Sequence, residues 1–226
     1  MLRTAMIIVG CLVASSVMAH RPFFPDVPPT SPETASVVLR PEVSQVIYHE
    51  VAAGAEQVWL TFEAEAGQEI FLQVGVPVID RLESYRPTMA IVGPGLTETE
   101  APFELPPGCG IQAFGTDEIV EPRFFAEKFT GTDSWILREE TVTVPEAGTY
   151  YLVAYAPGDA PGKLWLSIGK EEKFGFSDLG RMRGWTRKVR KFHEVEGTWP
   201  QLQKVAVGGM AVLLVGLVYL LADIFD

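Results

Sequence analysis

The 226-residue sequence predicts an all-β fold, an antiparallel jelly-roll-like β-sandwich, followed by an amphipathic helix and one apolar C-terminal helix. Three observations predict it. Between residues 36 and 168 apolar and polar side chains alternate with a period of two, the repeat of strands that bury one face. Glycine and proline turn signals punctuate that alternation, and no long helical pattern interrupts it. Beyond residue 176 the repeat lengthens to that of a helix, and an uncharged apolar run nearly closes the chain.

Residues 1–19 read as a signal peptide. Arg3 precedes an apolar stretch ending Ser16-Val17-Met18-Ala19, and small residues of this kind precede a cleavage site. Cleavage after Ala19 makes His20 the first residue of the exported chain. Two other readings of this stretch are an uncleaved membrane helix, for which the run is short, and a lipoprotein box at Ile8-Val9-Gly10-Cys11, close behind the start. Residues 20–35, with Pro22, Pro25, Pro28, Pro29 and Pro32, form an extended leader, because proline disfavours helix.

The sandwich is expected over residues 36–176. Its strands are expected at 36–39, 44–50, 57–65, 69–74, 88–92, 118–125, 134–144, 149–156 and 163–168, all rich in β-branched and aromatic residues. Turns fall at Ala66-Gly67-Gln68, Gly93-Pro94-Gly95 and Ala147-Gly148, and in residues 157–162. Residues 102–115 form a glycine- and proline-rich loop that carries Cys109.

Two stretches carry a family resemblance. One is Val58-Trp59-Leu60-Thr61-Phe62-Glu63-Ala64-Glu65-Ala66-Gly67-Gln68 with Glu69-Ile70-Phe71-Leu72-Gln73-Val74 behind it. The other is Val144-Pro145-Glu146-Ala147-Gly148-Thr149-Tyr150-Tyr151-Leu152-Val153-Ala154-Tyr155, closing on Gly162-Lys163-Leu164-Trp165-Leu166-Ser167-Ile168-Gly169. Together, over residues 43–169, they resemble the bacterial pre-peptidase C-terminal-like (PPC-like) domain. The resemblance implies a jelly-roll-like sandwich that serves as an accessory module in secreted proteins, and it brings no catalytic residues. The chain departs from the family pattern at 87–95 and in the insertion 102–133.

After the sandwich, Leu179, Met182, Trp185, Val189, Phe192, Val195 and Trp199 recur at helical spacing over residues 177–199. Arg181, Arg183, Arg187, Lys188, Arg190 and Lys191 fill most of the other face. Such a helix is expected to lie in the headgroup layer of a membrane, with Trp185, Phe192 and Trp199 as its apolar anchors; packing on the sandwich or on a partner subunit is the competing reading. Residues 202–222 are expected to be a single transmembrane helix, and Gly208, Gly209 and Gly216 would allow close approach of a second helix. Together these features predict a protein of the bacterial cytoplasmic membrane with its domain on the periplasmic side. In that orientation the basic flank faces outward, against the positive-inside tendency.

Charge separates along the chain. Residues 20–176 carry 10 Lys/Arg against 24 Asp/Glu, and residues 177–204 carry 7 against 3. An acidic domain excludes nucleic acid as a partner and, beside a basic helix, points to membrane lipid and a membrane-protein partner. The absence of GxGxxG and GxxxxGK[ST] argues against a nucleotide enzyme. With Cys11 in the leader, Cys109 has no disulfide partner.

The three histidines limit chemistry. His193 is expected at the membrane interface and His49 on a solvated strand face. His20, once first in the chain, joins an α-amino nitrogen to a ring nitrogen, a chelate that copper accepts. Asp80, Glu83 and Asp133 could hold calcium in a loop, but they lack EF-hand spacing. No GxSxG turn is present, and Cys109 has no histidine near it in sequence, so no enzyme activity is expected. The function expected is non-enzymatic: an accessory subunit of a membrane complex, contacting its partner through Arg81, Tyr85, Arg86 and the 103–129 insertion. The alternatives are copper binding at His20, and a carbohydrate- or peptide-binding sandwich with an aromatic patch drawn from Trp59, Trp135 or Trp165.

Overall fold

The computed structural model describes residues 20–156, 158, 160–173 and 180–196. Eleven strands build two sheets among them. They are β1 (Arg21–Phe23), β2 (Ser36–Val37), β3 (Gln45–Val51), β4 (Gln57–Ala64), β5 (Glu69–Pro77), β6 (Thr88–Gly93), β7 (Gly110–Phe114), β8 (Arg123–Glu127), β9 (Thr132–Thr143), β10 (Gly148–Tyr155) and β11 (Gly162–Ile168). One sheet runs β1-β3-β11-β5-β9-β8 and the other β2-β4-β10-β6-β7. All pairings are antiparallel except β1 on β3 and β2 on β4.

The alternation read from the sequence sets the core. In β4 the even residues Val58, Leu60, Phe62 and Ala64 point between the sheets, and in β10 Tyr150, Leu152 and Ala154 do the same. From the facing sheet come Ile70, Leu72, Val74 and Val76 of β5 and Leu164, Leu166 and Ile168 of β11. Most successive strands belong to different sheets, so the chain turns corners rather than hairpins. At one such corner Gly67 has φ +81°, a left-handed conformation that a side chain disfavours, and its N–H donates to Val144 O at 2.8 Å.

Two strands escaped the sequence reading. β1 lies inside the proline-rich leader, where its three residues gain strand geometry only by pairing with Gln45, Val46 and Ile47. β7 lies inside the supposed loop 102–115 and is held by β6. The strand expected at 118–125 forms later, at Arg123–Glu127, where it can pair with β9.

Both sheets also bury their outer faces. On the β1–β8 sheet the outward residues Val46, Ile136 and Trp165 form a second apolar cluster, with Tyr48 and Phe125 packed against it. The helix α1 (Met182–Phe192) and the leader cover this region. Thr186, Val189 and Phe192 of α1 are buried, and the Phe192 ring lies 5.0 Å from Tyr48. Lys188 sits over the Phe24 ring at 4.8 Å, Arg21 over Trp185 at 5.9 Å, and Arg190 Nη1 donates to Thr130 O at 2.9 Å.

This arrangement corrects the membrane reading. The apolar side of α1 is spent on the sandwich, so Trp185, Phe192, Arg190 and Lys188 hold a domain together instead of seating a helix among headgroups. Arg181, Arg183, Arg187 and Lys191 remain on its exposed side. No helix among the described residues is long and apolar enough to cross a membrane. The span expected at 202–222, with Gly208, Gly209 and Gly216, lies outside the described residues, as do Trp199 and the signal peptide 1–19. Among the described residues the fold is therefore a two-sheet β-sandwich with one short α-helix docked on it. Single-pass placement in the bacterial cytoplasmic membrane, lipid and a membrane-protein partner have no basis in the described structure.

Candidate functional site

Two places on the sandwich bring polar groups together, one on each outer face. The first is a cleft of about 540 Å³ outside the β2–β7 sheet. Its floor follows from strand parity: Gln57 and Trp59 are odd residues of β4, and Tyr151 is an odd residue of β10, so all three face away from the core. One wall is residues 31–33, anchored nearby where Trp59 N–H donates to Pro29 O at 2.7 Å. The other wall is residues 103–107, held by Phe103, whose ring meets Trp59 edge-on at 5.0 Å and Tyr155 at 5.4 Å.

The aromatic rings of this cleft are mutually locked. Trp59 is fully buried and also meets Tyr151 at 5.7 Å in a T-shaped pair, and its Nε1–H donates to Gln57 Oε1 at 2.8 Å. No face of the indole is left open for a ligand to stack on. Beside the amide of Gln57 and the hydroxyls of Ser31 and Tyr151, the cleft offers two carboxylates. Glu33 and Glu104 stand exposed at the opposite walls. Hydrogen bonds from Ser31 and from its own backbone hold the Glu33 carboxyl below the usual carboxylate range, so it is ionised near neutral pH. Cys109 packs behind this cluster, and burial raises its thiol pKa, which keeps it protonated.

The second place surrounds His20 on the outside of the β1–β8 sheet. The sheet register aligns Val46, Ser167, Gln73 and Glu139 as one row across four strands. His20 precedes β1 and lies over this row. Its Nδ1 is 2.5 Å from Ser44 Oγ and 3.5 Å from Ser167 Oγ, and its ring centroid is 6.4 Å from that of Trp165. Gln73 is almost fully buried; its Nε2–H donates to Glu139 Oε1 at 2.5 Å, while its Oε1 has no hydrogen-bond partner. Glu139 also receives Arg123 Nη2 at 2.6 Å. Burial lowers the His20 pKa to about 4, against the opposing pull of Gln73 and Glu139, so the imidazole is neutral at pH 7.

The remaining sequence candidates are accounted for individually. Arg81 makes a two-pronged ion pair with Glu194, its Nη1 donating to Oε2 at 2.8 Å. Tyr85 is buried with its hydroxyl unpaired, and burial pushes its pKa up to about 12. Arg86 donates to the carbonyls of Ile119, Glu83 and Tyr85. Arg81 and Arg86 thus bond within the fold, with Arg81 still exposed, while Tyr85 is buried. Among the described residues no three His, Cys, Asp or Glu side chains converge as metal ligands, so Asp80, Glu83 and Asp133 do not form a calcium cage there.

Two histidines are placed differently from expectation. His49 is buried and its Nε2 bonds Ala55 O at 2.7 Å. His193 is buried under α1, with Nδ1 donating to Val189 O at 2.9 Å. That bond leaves Nε2 to accept from Ser134 Oγ at 3.0 Å, and Trp165 Nε1–H donates to the same hydroxyl at 3.2 Å. Sequence reasoning missed the roles of Gln73 and Glu139, which alternation alone marks only as outward-facing strand residues.

No protein-family model matches the chain, and neither does any curated protein. Among solved structures it is similar to the pre-peptidase C-terminal domain of collagenase from Bacillus anthracis, at 11% identity and a TM-score of 0.28, over 59% of this chain and 93% of that one. It is also similar to CorA of Methylomicrobium album BG8, a surface-associated copper-binding protein important in copper acquisition, at 8% identity and a TM-score of 0.31, over 61% and 98%. Likenesses this distant do not place the chain in the PPC-like family, so the resemblance read from its motifs is corrected to the two-sheet sandwich that the chain itself forms.

Proposed function

We propose that this protein is a non-enzymatic binding module whose cleft outside the β2–β7 sheet takes an extended peptide segment carrying a basic side chain. The observation that carries the reading is the pairing of Glu33 and Glu104 across a cleft about 540 Å³ in volume. Two exposed carboxylates stand one on each wall of the cleft, above Gln57, Trp59 and Tyr151, and the prolines of both walls have no N–H to offer. Such a lining accepts hydrogen bonds, so it selects a ligand rich in donors. The locked indole of Trp59 disfavours a sugar, which needs an open ring face, and favours a peptide lying between two extended segments.

The test is a fluorescence-anisotropy panel of labelled peptides, X-Arg/Lys-X-Pro and the same set with Asp/Glu, alongside neutral oligosaccharides. Basic peptides are expected to bind in the micromolar to millimolar range, more weakly at high salt. Glu33→Gln with Glu104→Gln is expected to weaken them about 5- to 20-fold, the yield of two exposed charge pairs. Binding of the acidic set, of the oligosaccharides alone, or of nothing sinks the proposal.

A further inference from the structure

The row around His20 carries a separate inference. Each of its features is a cost unless something uses it. An unpaired buried amide oxygen destabilises the folded chain, because it has lost water and gained nothing. Gln73 Oε1 is such an atom, and the register sets Gln73 beside Ser167, whose Oγ lies 3.5 Å from His20 Nδ1. Glu139 stands next in the same row and accepts from Gln73 Nε2 at 2.5 Å, which brings a carboxylate to the site. Of the charges that would oppose a cation here, Arg123 is held on Glu139 with Nη2 2.6 Å from Oε1, and Arg21 lies over the Trp185 ring of α1 at 5.9 Å.

We propose that His20, Gln73 and Glu139 form a mononuclear site for a divalent transition-metal cation of the copper(II) class, completed when removal of residues 1–19 frees the His20 α-amine. In the site the α-amine and Nδ1 close a six-membered chelate, the cation replacing the Ser44 hydroxyl as the partner of Nδ1. Gln73 Oε1 gains the partner it lacks, and Glu139 balances the charge by turning from Arg123 to the cation. The donor set is two nitrogens and two oxygens with no thiolate, which copper(II) binds more tightly than the other first-row divalent ions and which calcium and magnesium do not favour. Binding releases the proton of the α-ammonium, so affinity rises with pH up to about 8, the ordinary range of that group.

The experiment uses the protein exported from a host cell, its start read by intact mass, titrated with copper(II) alone. Tryptophan fluorescence and electron paramagnetic resonance report binding. A chain beginning at His20, one copper per chain, and quenching that falls sharply in Trp165→Phe are expected, because Trp165 is 6.4 Å from His20. His20→Ala is expected to abolish that binding. Gln73→Leu and Glu139→Gln are each expected to weaken it at least 10-fold and to change the spectrum, with circular dichroism unchanged. A chain that starts elsewhere, or no stoichiometric binding, overturns the site. So does copper held equally well by both row variants, since that is chelation by a terminal histidine alone. The cleft variants Glu33→Gln and Glu104→Gln leave copper binding unchanged, which keeps the failure of one proposal distinct from that of the other.

Discussion

His193 makes the docking of α1 sensitive to acid, with a magnitude that follows from its burial. Desolvation is the largest cause of its depressed pKa, the nearby Lys163 ammonium adds to it, and the carbonyl of Val189 opposes it; the net is a fall from 6.5 to about 4. Lys163 itself is tied to the end of α1, its Nζ donating to Phe192 O at 2.9 Å and pairing with Glu194 at 3.0 Å. The folded protein therefore stays unprotonated at His193 while the unfolded chain takes up a proton below 6.5. Stability is full above that value and falls as pH drops toward 4, by about 1.4 kcal/mol per pH unit where only the unfolded state titrates. Between pH 7.5 and 5.0 the loss integrates to about 2 kcal/mol for His193.

This window avoids Glu194, which Arg81 and Lys163 hold down to about 2 and whose contribution is lost only below the ordinary glutamate range. His20 shifts in the same direction as His193, so the parent protein falls by more than His193 accounts for. Urea unfolding at half-unit steps of pH measures the slope directly. His193→Gln keeps a polar group facing Ser134 and removes the titration, so its curve is expected to be flatter by about 2 kcal/mol over the window, whatever its absolute stability. Parallel curves for parent and variant would show that His193 is not the titrating group and that α1 does not bury it.

Two substitutions probe the packing itself. Gly75 lies opposite Trp165 in the register, and a Cβ there would stand 2.2 Å from the indole and 2.5 Å from the Trp135 carbonyl, so Gly75→Ala is expected to cost about 3 kcal/mol in urea unfolding; a change below about 0.5 kcal/mol refutes the close approach. Phe192→Ala removes the ring that α1 sets against Tyr48 and is expected to cost about 3 kcal/mol, with faster hydrogen exchange along 182–192 and little change in β4 or β10; unchanged exchange in the helix refutes its docked position.

The sandwich was legible because burial of alternate residues leaves the same mark in any central strand. Residues 57–65 and 149–156 alternate so regularly that β4 and β10 fall where expected to within a residue or two. β1 and β7 were not legible, since a three-residue segment such as Arg-Pro-Phe has no period to read and becomes a strand only through the partner beside it. The helix was legible as a helix and misread as to what it covers. Amphipathicity says that one face must leave water, and a lipid surface and a protein surface satisfy that requirement equally. The deciding signal stood elsewhere: β3 is apolar at both parities, with Val46 and Tyr48 outward and Ile47 and Val51 inward. A sheet with two apolar faces needs two covers, and α1 is the segment available to supply one.

The two candidate sites divide along the same line. His20 could be singled out because cleavage after Ala19 would give its nitrogen a neighbour, a property of sequence position. Gln73 and Glu139 could not, because what distinguishes them is register: they belong with Ser167 only once β11, β5 and β9 are aligned in that order. A shift of one residue in β5 would turn Gln73 into the core and bring Leu72 beneath the imidazole. The cleft depends on a different kind of information. Trp59 belongs to the aromatic patch expected from the sequence, and Tyr151 does not. The wall that makes a concavity of them comes from residues 103–107, whose prolines carry no period and whose position is set by Phe103 packing between Trp59 and Tyr155. In both places the backbone pattern supplies the platform, and a segment without periodicity, the leader in one case and the loop in the other, decides which of its polar groups can act together.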